Sequence, residues 1–341
     1  MGHRESALET LNMTTQQLHT AYHGKRVFLT GHTGFKGKWL HAWLEHIGAH
    51  VTGYSLPNDI CDPDTLERAM LKCDPDFVFH LAAQTIVGVG YSDPYLTYET
   101  NVNGTINVLN ALRFIHHPCA AVIVTTDKVY ENNGIGRPFS EADPLGGYDP
   151  YSSSKASAEL AVSSWRRSFF TRRPGEIRIA TARAGNVIGG GDTGTGRIVP
   201  DCLKAITQDK PLFLRMPLAI RPWQHVLDVL HGYLILGSKL MDGSTQQEPY
   251  NFGPPEENCI SVFELCRMLA EHAKKTPAIN FEKNQSFHEE PVIRLNSNRA
   301  IGSLGWRTKL TLSQSVKLTV DFSYGASHGN MPKQIAHYES I

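Results

Sequence analysis

Tyr151 and Lys155, in the run Tyr151-Ser-Ser-Ser-Lys155, stand four residues apart and so share one face of a helix. A tyrosine hydroxyl has an ordinary pKa of about 10 and is a poor base near neutrality. A neighbouring ammonium favours the phenolate, and a cationic nicotinamide ring would favour it further. The pair suits removal of a proton from an alcohol while the alcohol's hydride leaves. Upstream stands a second group, Thr126-Asp127-Lys128, directly after the apolar run that ends in Val124-Thr125. Ligands bind at the carboxyl ends of parallel strands, so these side chains are expected to face a substrate. A hydroxyl alone would serve a simple epimerisation. An acid and an amine add two proton-transfer groups. With them, oxidation at carbon 4 of a sugar acidifies the proton at carbon 5. Its removal, with protonation of the departing carbon 6 hydroxyl, eliminates water, and hydride can return at carbon 6. The alternatives without chemistry are an exposed helical pair and a solvated turn with an ion pair.

These groups need a scaffold that holds a dinucleotide beside them. Arg26 to Thr30 has the length and apolarity of a buried strand. Gly31-His-Thr33-Gly34-Phe35-Lys-Gly37 follows it and opens a helix marked by Trp39, Leu40, Trp43, Leu44 and Ile47. Glycines let a backbone turn sharply and approach a pyrophosphate, whose charge the helix N-terminus stabilises. Further strands are expected at His50–Tyr54, Phe77–Leu81, Ala120–Thr125, Ile177–Arg183 and Tyr250–Phe252, with a helix over Asn101–Leu112. This alternation predicts an α/β fold, a Rossmann-type doubly wound parallel sheet with a smaller C-terminal substrate lobe. The expected organisation is an N-terminal tail (1–23), a dinucleotide-binding domain (24–188, with 226–255 returning to it), a substrate lobe (189–225 and 256–325) and a C-terminal tail (326–341). The second strand ends in Tyr54-Ser55-Leu56, with neither the acid that holds an NAD ribose nor an arginine for a 2′-phosphate. NAD is the expected cofactor, with NADP left open. Asp59 and Ile60 are candidates for the adenine.

Lys plus Arg and Asp plus Glu number 33 each in 341 residues, which argues against a nucleic-acid partner. The six cysteines form no CxxC pair, so buried thiols in a reducing compartment are expected, with no metal site. No apolar run approaches the roughly 20 residues a membrane helix requires. No signal-like segment opens the chain, and a cytoplasmic location is expected.

The stretches GHTGFKGKWL, HLAAQ, TNVNGT, TTDKVYEN, DPLGGYDPYSSSK, RAGNVIGGGD, RIVPD, RPWQHVLD and LGW occur in that order. Together they resemble the CDP-glucose 4,6-dehydratases, a sugar-nucleotide dehydratase branch of the extended short-chain dehydrogenases, over about Gly24 to Tyr324. The resemblance implies a tightly held NAD that is reduced and reoxidised in each turnover. It implies a nucleotide-linked 4-keto-6-deoxyglucose product, feeding deoxysugar synthesis for surface polysaccharides. Carried onto this sequence, Tyr151 is the base at the 4-hydroxyl, Lys155 its partner and ribose contact, and Thr126 a hydrogen-bond donor to O4. Asp127 protonates the leaving hydroxyl and Lys128 takes the carbon 5 proton, this division of roles being the least defined. Leu81, Ala82, Ala83, Gln84, Asn101 and Thr125 complete the cofactor surroundings. Gln84 also falls to the substrate, with Asn186, Arg197 and Arg221 at the nucleotide diphosphate. His225 and His288 read more simply as packing or surface residues than as sugar contacts. Relatives of this kind are homodimers or homotetramers. Two departures from the family pattern stand out: a short stretch between Tyr54 and Asp59, and Thr85 to Tyr91 where arginines are usual. An epimerase, a dehydratase acting on another nucleotide sugar and a non-catalytic NAD-sensing scaffold are the competing readings.

Overall fold

The computed structural model describes residues 13–134, 136–172, 176–281, 288–324 and 330–341. In chain order the first lobe holds α1 (Thr15–Tyr22), β1 (Arg26–Thr30), α2 (Phe35–His46), β2 (His50–Tyr54), α3 (Pro63–Cys73) and β3 (Phe77–His80). After two short helices, α4 (Val87–Ser92) and α5 (Pro94–Tyr98), come α6 (Gly104–Leu112), β4 (Cys119–Val124), α7 (Pro150–Trp165) and β5 (Ile177–Ala184). The chain then continues through β6 (Val187–Ile188), α8 (Ile198–Gln208), β7 (Leu212–Leu214), β8 (Ile220–Pro222), β9 (Gln224–His225), α9 (Val226–Asp242) and β10 (Tyr250–Phe252). It ends with β11 (Cys259–Ser261), α10 (Val262–Ala273), β12 (Ile279–Phe281), α11 (Leu312–Ser323) and α12 (Met331–Ser340).

Six strands form one wholly parallel sheet in the order β2-β1-β3-β4-β5-β10. β3 and β4 are buried along their whole length. A parallel strand covered by helices on both faces has no polar side to alternate with, hence the unbroken runs FVFH and CAAVIV. One face carries Trp39, Trp43, Leu230, Leu234 and Phe252, with α2 and α9 above the sheet. The other carries Leu66, Met70, Val108, Leu112 and Val162, from α3, α6 and α7. Strand order reverses between β1 and β3, and that reversal opens a crevice at the strands' carboxyl ends. The second lobe has its own core, in which Val199, Cys202 and Ile206 of α8 meet Leu265 and Leu269 of α10 and Val316 of α11.

Three stretches differ from the sequence expectation. Residues 13–23 are not a loose tail: a capping box between Thr14 and Gln17 starts α1, Leu18 and Tyr22 are buried, and the Tyr22 hydroxyl donates to the Leu234 carbonyl at 2.7 Å. Residues 331–340 are likewise a helix, begun by the Asn330 side chain and anchored by buried Ile335 and Tyr338 against α2. Ala300, Leu304, Trp306 and Leu310 fall within the span expected of the substrate lobe but pack into the core of the first. Gly232 and Phe252 receive Trp306, whose indole donates to the Asp228 carbonyl at 2.9 Å.

Candidate active site

The turn after β1 is built for close approach. Gly31 has φ of +74°, and a Cβ there would stand 2.6 Å from the Ala82 nitrogen. A Cβ on Gly37 would stand 2.0 Å from the Gly31 carbonyl oxygen. Both positions therefore exclude every side chain, and the cradle they leave fits a pyrophosphate. Gly34 caps α2 without a side chain to occupy the first-turn N–H groups, while Thr33 and Gly34 are exposed. Leu81 and Ala82 donate backbone N–H to the Thr30 carbonyl and hydroxyl, holding the β3 end against this turn. The polar groups of Asn101 tie Gln84 to α7: its amide accepts from the Gln84 N–H at 2.9 Å and donates to the Gln84 carbonyl and the Ser154 hydroxyl. Ser55, which replaces the acid, hydrogen-bonds His32 at 2.9 Å within the glycine turn.

α7 begins one residue before Tyr151 because Asp149 caps it and Pro150 presets its first turn. Tyr151 and Lys155 consequently face the end of β4. The Tyr151 hydroxyl pairs with Thr126. Burial is the main cause that pushes its pKa up to about 12. The Lys155 ammonium donates to the Val124 carbonyl at 3.2 Å; burial first, then the charge of Lys36, bring it down to about 7, against the pull of Glu159. Without a ligand Tyr151 thus favours its neutral form, while the Lys155 ammonium loses its proton far more readily than a free lysine. Asp127 accepts on Oδ1 from the Thr126 hydroxyl and the Lys128 ammonium, each at 3.0 Å. Its Oδ2 is buried and has no hydrogen-bond partner among the described residues, as is true of Asn186 Oδ1. Unsatisfied buried acceptors are costly, and the Asp127 side chain is fully buried with Oδ2 on the Gly185 side.

The remaining predicted residues divide. Arg197 donates to Asp192 at 2.8 Å and, across the crevice, to the Thr85 hydroxyl at 2.6 Å. Arg221 is buried, donates to the Ile220 carbonyl at 2.9 Å and lies 3.8 Å from Glu289. Thr125 turns away from the crevice and donates to Glu159 at 2.5 Å. Gln84 spends its amide on Thr97 and the Ile86 N–H. Asp59 accepts from the Cys61 N–H, and Ile60 is buried against Gly104. His225 caps α9 and packs edge-on against Trp39, with its pKa brought down to about 3 by burial. His288 lies on Tyr148 with ring centroids 3.9 Å apart.

Two features escaped the sequence reading. Lys36, inside the glycine turn, reaches the Tyr233 hydroxyl at 3.4 Å. Burial, and secondly Arg197, bring it down to about 8, while Asp127 opposes them. Glu159, one turn beyond Lys155, accepts from Thr125, Thr181 and two nitrogens of Arg183 in the floor under the site. A lysine between glycines gave one usable signal; a glutamate among small residues gave none.

A sequence model of the NAD dependent epimerase/dehydratase family matches residues 27–253. The chain belongs to this family. It is 37% identical to the CDP-glucose 4,6-dehydratase of Salmonella typhimurium, over 86% of this chain and 89% of that protein. It is 28% identical to the dTDP-glucose 4,6-dehydratase of Haemophilus influenzae, covering 77% and 80%. Among solved structures, the UDP-glucose 4-epimerase of Thermus thermophilus in complex with NAD has a TM-score of 0.77 and 25% identity, covering 88% of this chain and 99% of that one. The dTDP-glucose 4,6-dehydratase of Bacillus anthracis in complex with NAD has a TM-score of 0.73 at 22% identity, covering 90% and 99%, which speaks for the fold.

Proposed function

We propose that this protein is a nucleotide-sugar 4,6-dehydratase that converts CDP-glucose to CDP-4-keto-6-deoxyglucose. The observation that carries the reading is the acid–amine pair Asp127–Lys128 at the β4 end beside Tyr151, which an epimerase does not need. The likeness to the Salmonella enzyme supports CDP-glucose as the substrate. Bound NAD supplies the hydride acceptor for carbon 4 and, in the same turnover, the donor for carbon 6.

The chain's residues move the protons. Thr126 orients O4 and Tyr151 takes its proton; the cationic ring and the Lys155 ammonium favour the phenolate that burial alone disfavours. Lys128, once its proton has passed to Asp127 across their 3.0 Å contact, removes the carbon 5 proton, now acidic beside a ketone. Asp127 delivers the proton received from Lys128 to the carbon 6 hydroxyl, which leaves as water. Lys128 returns a proton to carbon 5 when carbon 6 receives hydride. Asn186 offers an acceptor to the nucleotide, and Arg197 and Arg221 offer their forked donors to the diphosphate, Arg197 exchanging Thr85 for a phosphate oxygen. Lys36 adds a further cation beside Asp127 and Arg197.

Among the described residues no helix is long and apolar enough to cross a membrane. We place the protein in the cytoplasm as a homodimer or homotetramer. Exposed Tyr95, Leu96 and Leu160, on the packed pair α5 and α7, support such an interface.

Incubation with CDP-glucose in heavy water tests the reaction. The expected product is a 4-keto-6-deoxy sugar nucleotide carrying deuterium at carbon 5. A carbon 4 epimer with no solvent deuterium would instead establish an epimerase, and turnover of another nucleotide sugar alone would overturn the choice of CDP-glucose.

A further inference from the structure

Far from the crevice, three helices bring metal-ligating side chains to one point. His19 of α1, His46 of α2 and Glu339 of α12 each place a ligand atom within 4.8 Å of the others. His19 Nε2 lies 3.0 Å from Glu339 Oε1, and His46 Nε2 lies 3.2 Å from Glu339 Oε2. Trp43 fixes the carboxylate by donating its indole N–H to Oε1 at 2.7 Å. Glu339 is 11% exposed, while the His19 and His46 side chains are 32% and 37% exposed. His19 and His46 open onto a surface cavity that His23 and Gln16 also line.

We propose that His19, His46 and Glu339 bind one divalent ion of the zinc class, which staples the two terminal helices to α2. Two imidazoles and one carboxylate are a donor set for zinc, whereas magnesium and calcium prefer oxygen alone. Around a tetrahedral zinc with bonds of roughly 2.0–2.1 Å, neighbouring ligand atoms stand about 3.3 Å apart. The two nitrogen–oxygen separations are already near that value, and the ligand nitrogens of His19 and His46 lie within 4.8 Å of each other. Water can fill the fourth position. Trp43 supplies the outer hydrogen bond that orients a ligating carboxylate. Three ligands separated by 27 and 293 residues form no sequence motif, which is why the sequence pointed to no metal.

The site is separable from the proposed reaction. It lies at the C-terminal end of α2, a helix of twelve residues and so about 18 Å long, whose other end is the glycine turn. The test uses untagged, full-length protein stripped with a chelator and titrated with Zn²⁺ against a chromophoric competitor. One Zn²⁺ per chain is expected. Affinity should fall at least tenfold in His46→Ala and in Glu339→Gln, and the site should be lost in His19→Ala/His46→Ala. Cobalt(II) at the same site should give a visible spectrum without a thiolate charge-transfer band, which separates it from the cysteines. Amide exchange across 15–22 and 331–340 should slow on zinc binding in the wild type and not in the double variant. Absence of stoichiometric binding, or the same stoichiometry in the double variant, would overturn the proposal. A folded double variant is shown by unchanged NAD affinity.

Discussion

The buried carboxylate of Glu159 carries the most demanding energetic prediction. It accepts from Thr125 at 2.5 Å, Thr181 at 2.7 Å, and Arg183 through Nε at 3.0 Å and Nη2 at 2.9 Å. The Glu159 and Arg183 side chains are 2% and 3% exposed. Burial opposes the charge on Arg183, but Glu159 and the Tyr130 hydroxyl outweigh it and hold the guanidinium pKa above its ordinary value. Glu159→Ala leaves that cation buried with only Tyr130, at a cost of about 3–5 kcal/mol. Arg183→Met should cost a similar amount, since the carboxylate keeps only two hydroxyl donors. Glu159→Leu/Arg183→Met removes both charges and keeps the volume, so it should cost far less than the sum, leaving a coupling energy of at least about 2 kcal/mol. Urea unfolding followed by tryptophan fluorescence reads the effect. Each single variant should shift the midpoint downward by on the order of 1 M, and the double variant by a fraction of that. Single variants costing under about 1 kcal/mol, or a double variant equal to the sum, would refute the reasoning that this is a mutually compensating buried pair.

Other substitutions test the cradle, the proposed base and a buried acid. Gly37→Ala places a methyl 2.0 Å from a carbonyl oxygen, so NAD affinity by calorimetry should fall by roughly 100-fold or more, about 2.7 kcal/mol; affinity within threefold of wild type would count against the pyrophosphate cradle. Tyr151→Phe should keep NAD binding and lose turnover by at least about 10²-fold, and retained turnover would remove Tyr151 from the reaction. Asp228, which accepts from Tyr338 and the Lys309 N–H, is pushed up to about 7 chiefly by burial. Its folded pKa exceeds the unfolded value of about 3.9, so its contribution is present below pH 4 and is lost as the pH rises through 7, at most about 4 kcal/mol. Asp228→Asn should therefore gain stability relative to wild type between pH 5 and 8 in urea unfolding; parallel profiles would contradict the shift.

Contiguous signals were the legible ones. The strands announced themselves as apolar runs because a doubly covered parallel strand has no polar face, and Tyr151 and Lys155 were paired by helical spacing. Asp127 and Lys128 are neighbours in sequence and come near Tyr151 because β4 ends there. The Glu159 network joins α7 to β4 and β5 over 22 to 34 residues, a distance that no local pattern encodes. α1 was readable in principle, since Thr14 and Gln17 form a capping box ahead of Leu18 and Tyr22. Its eight residues nevertheless show too little periodicity without the core they enter. The polar groups of Asn101, a cofactor contact by resemblance, are engaged by Gln84 and Ser154, a long-range pairing that no local pattern encodes.

The cations around Asp127 have a consequence for encounter. Formal charges cancel over the whole chain, so a distant nucleotide sugar meets no net attraction. Lys36 and Lys128 nevertheless gather about one carboxylate, and their field reaches little beyond a Debye length of about 8 Å. Capture is therefore decided at the mouth of the crevice and not by long-range steering. Salt should then shorten the time a ligand stays far more than it slows arrival.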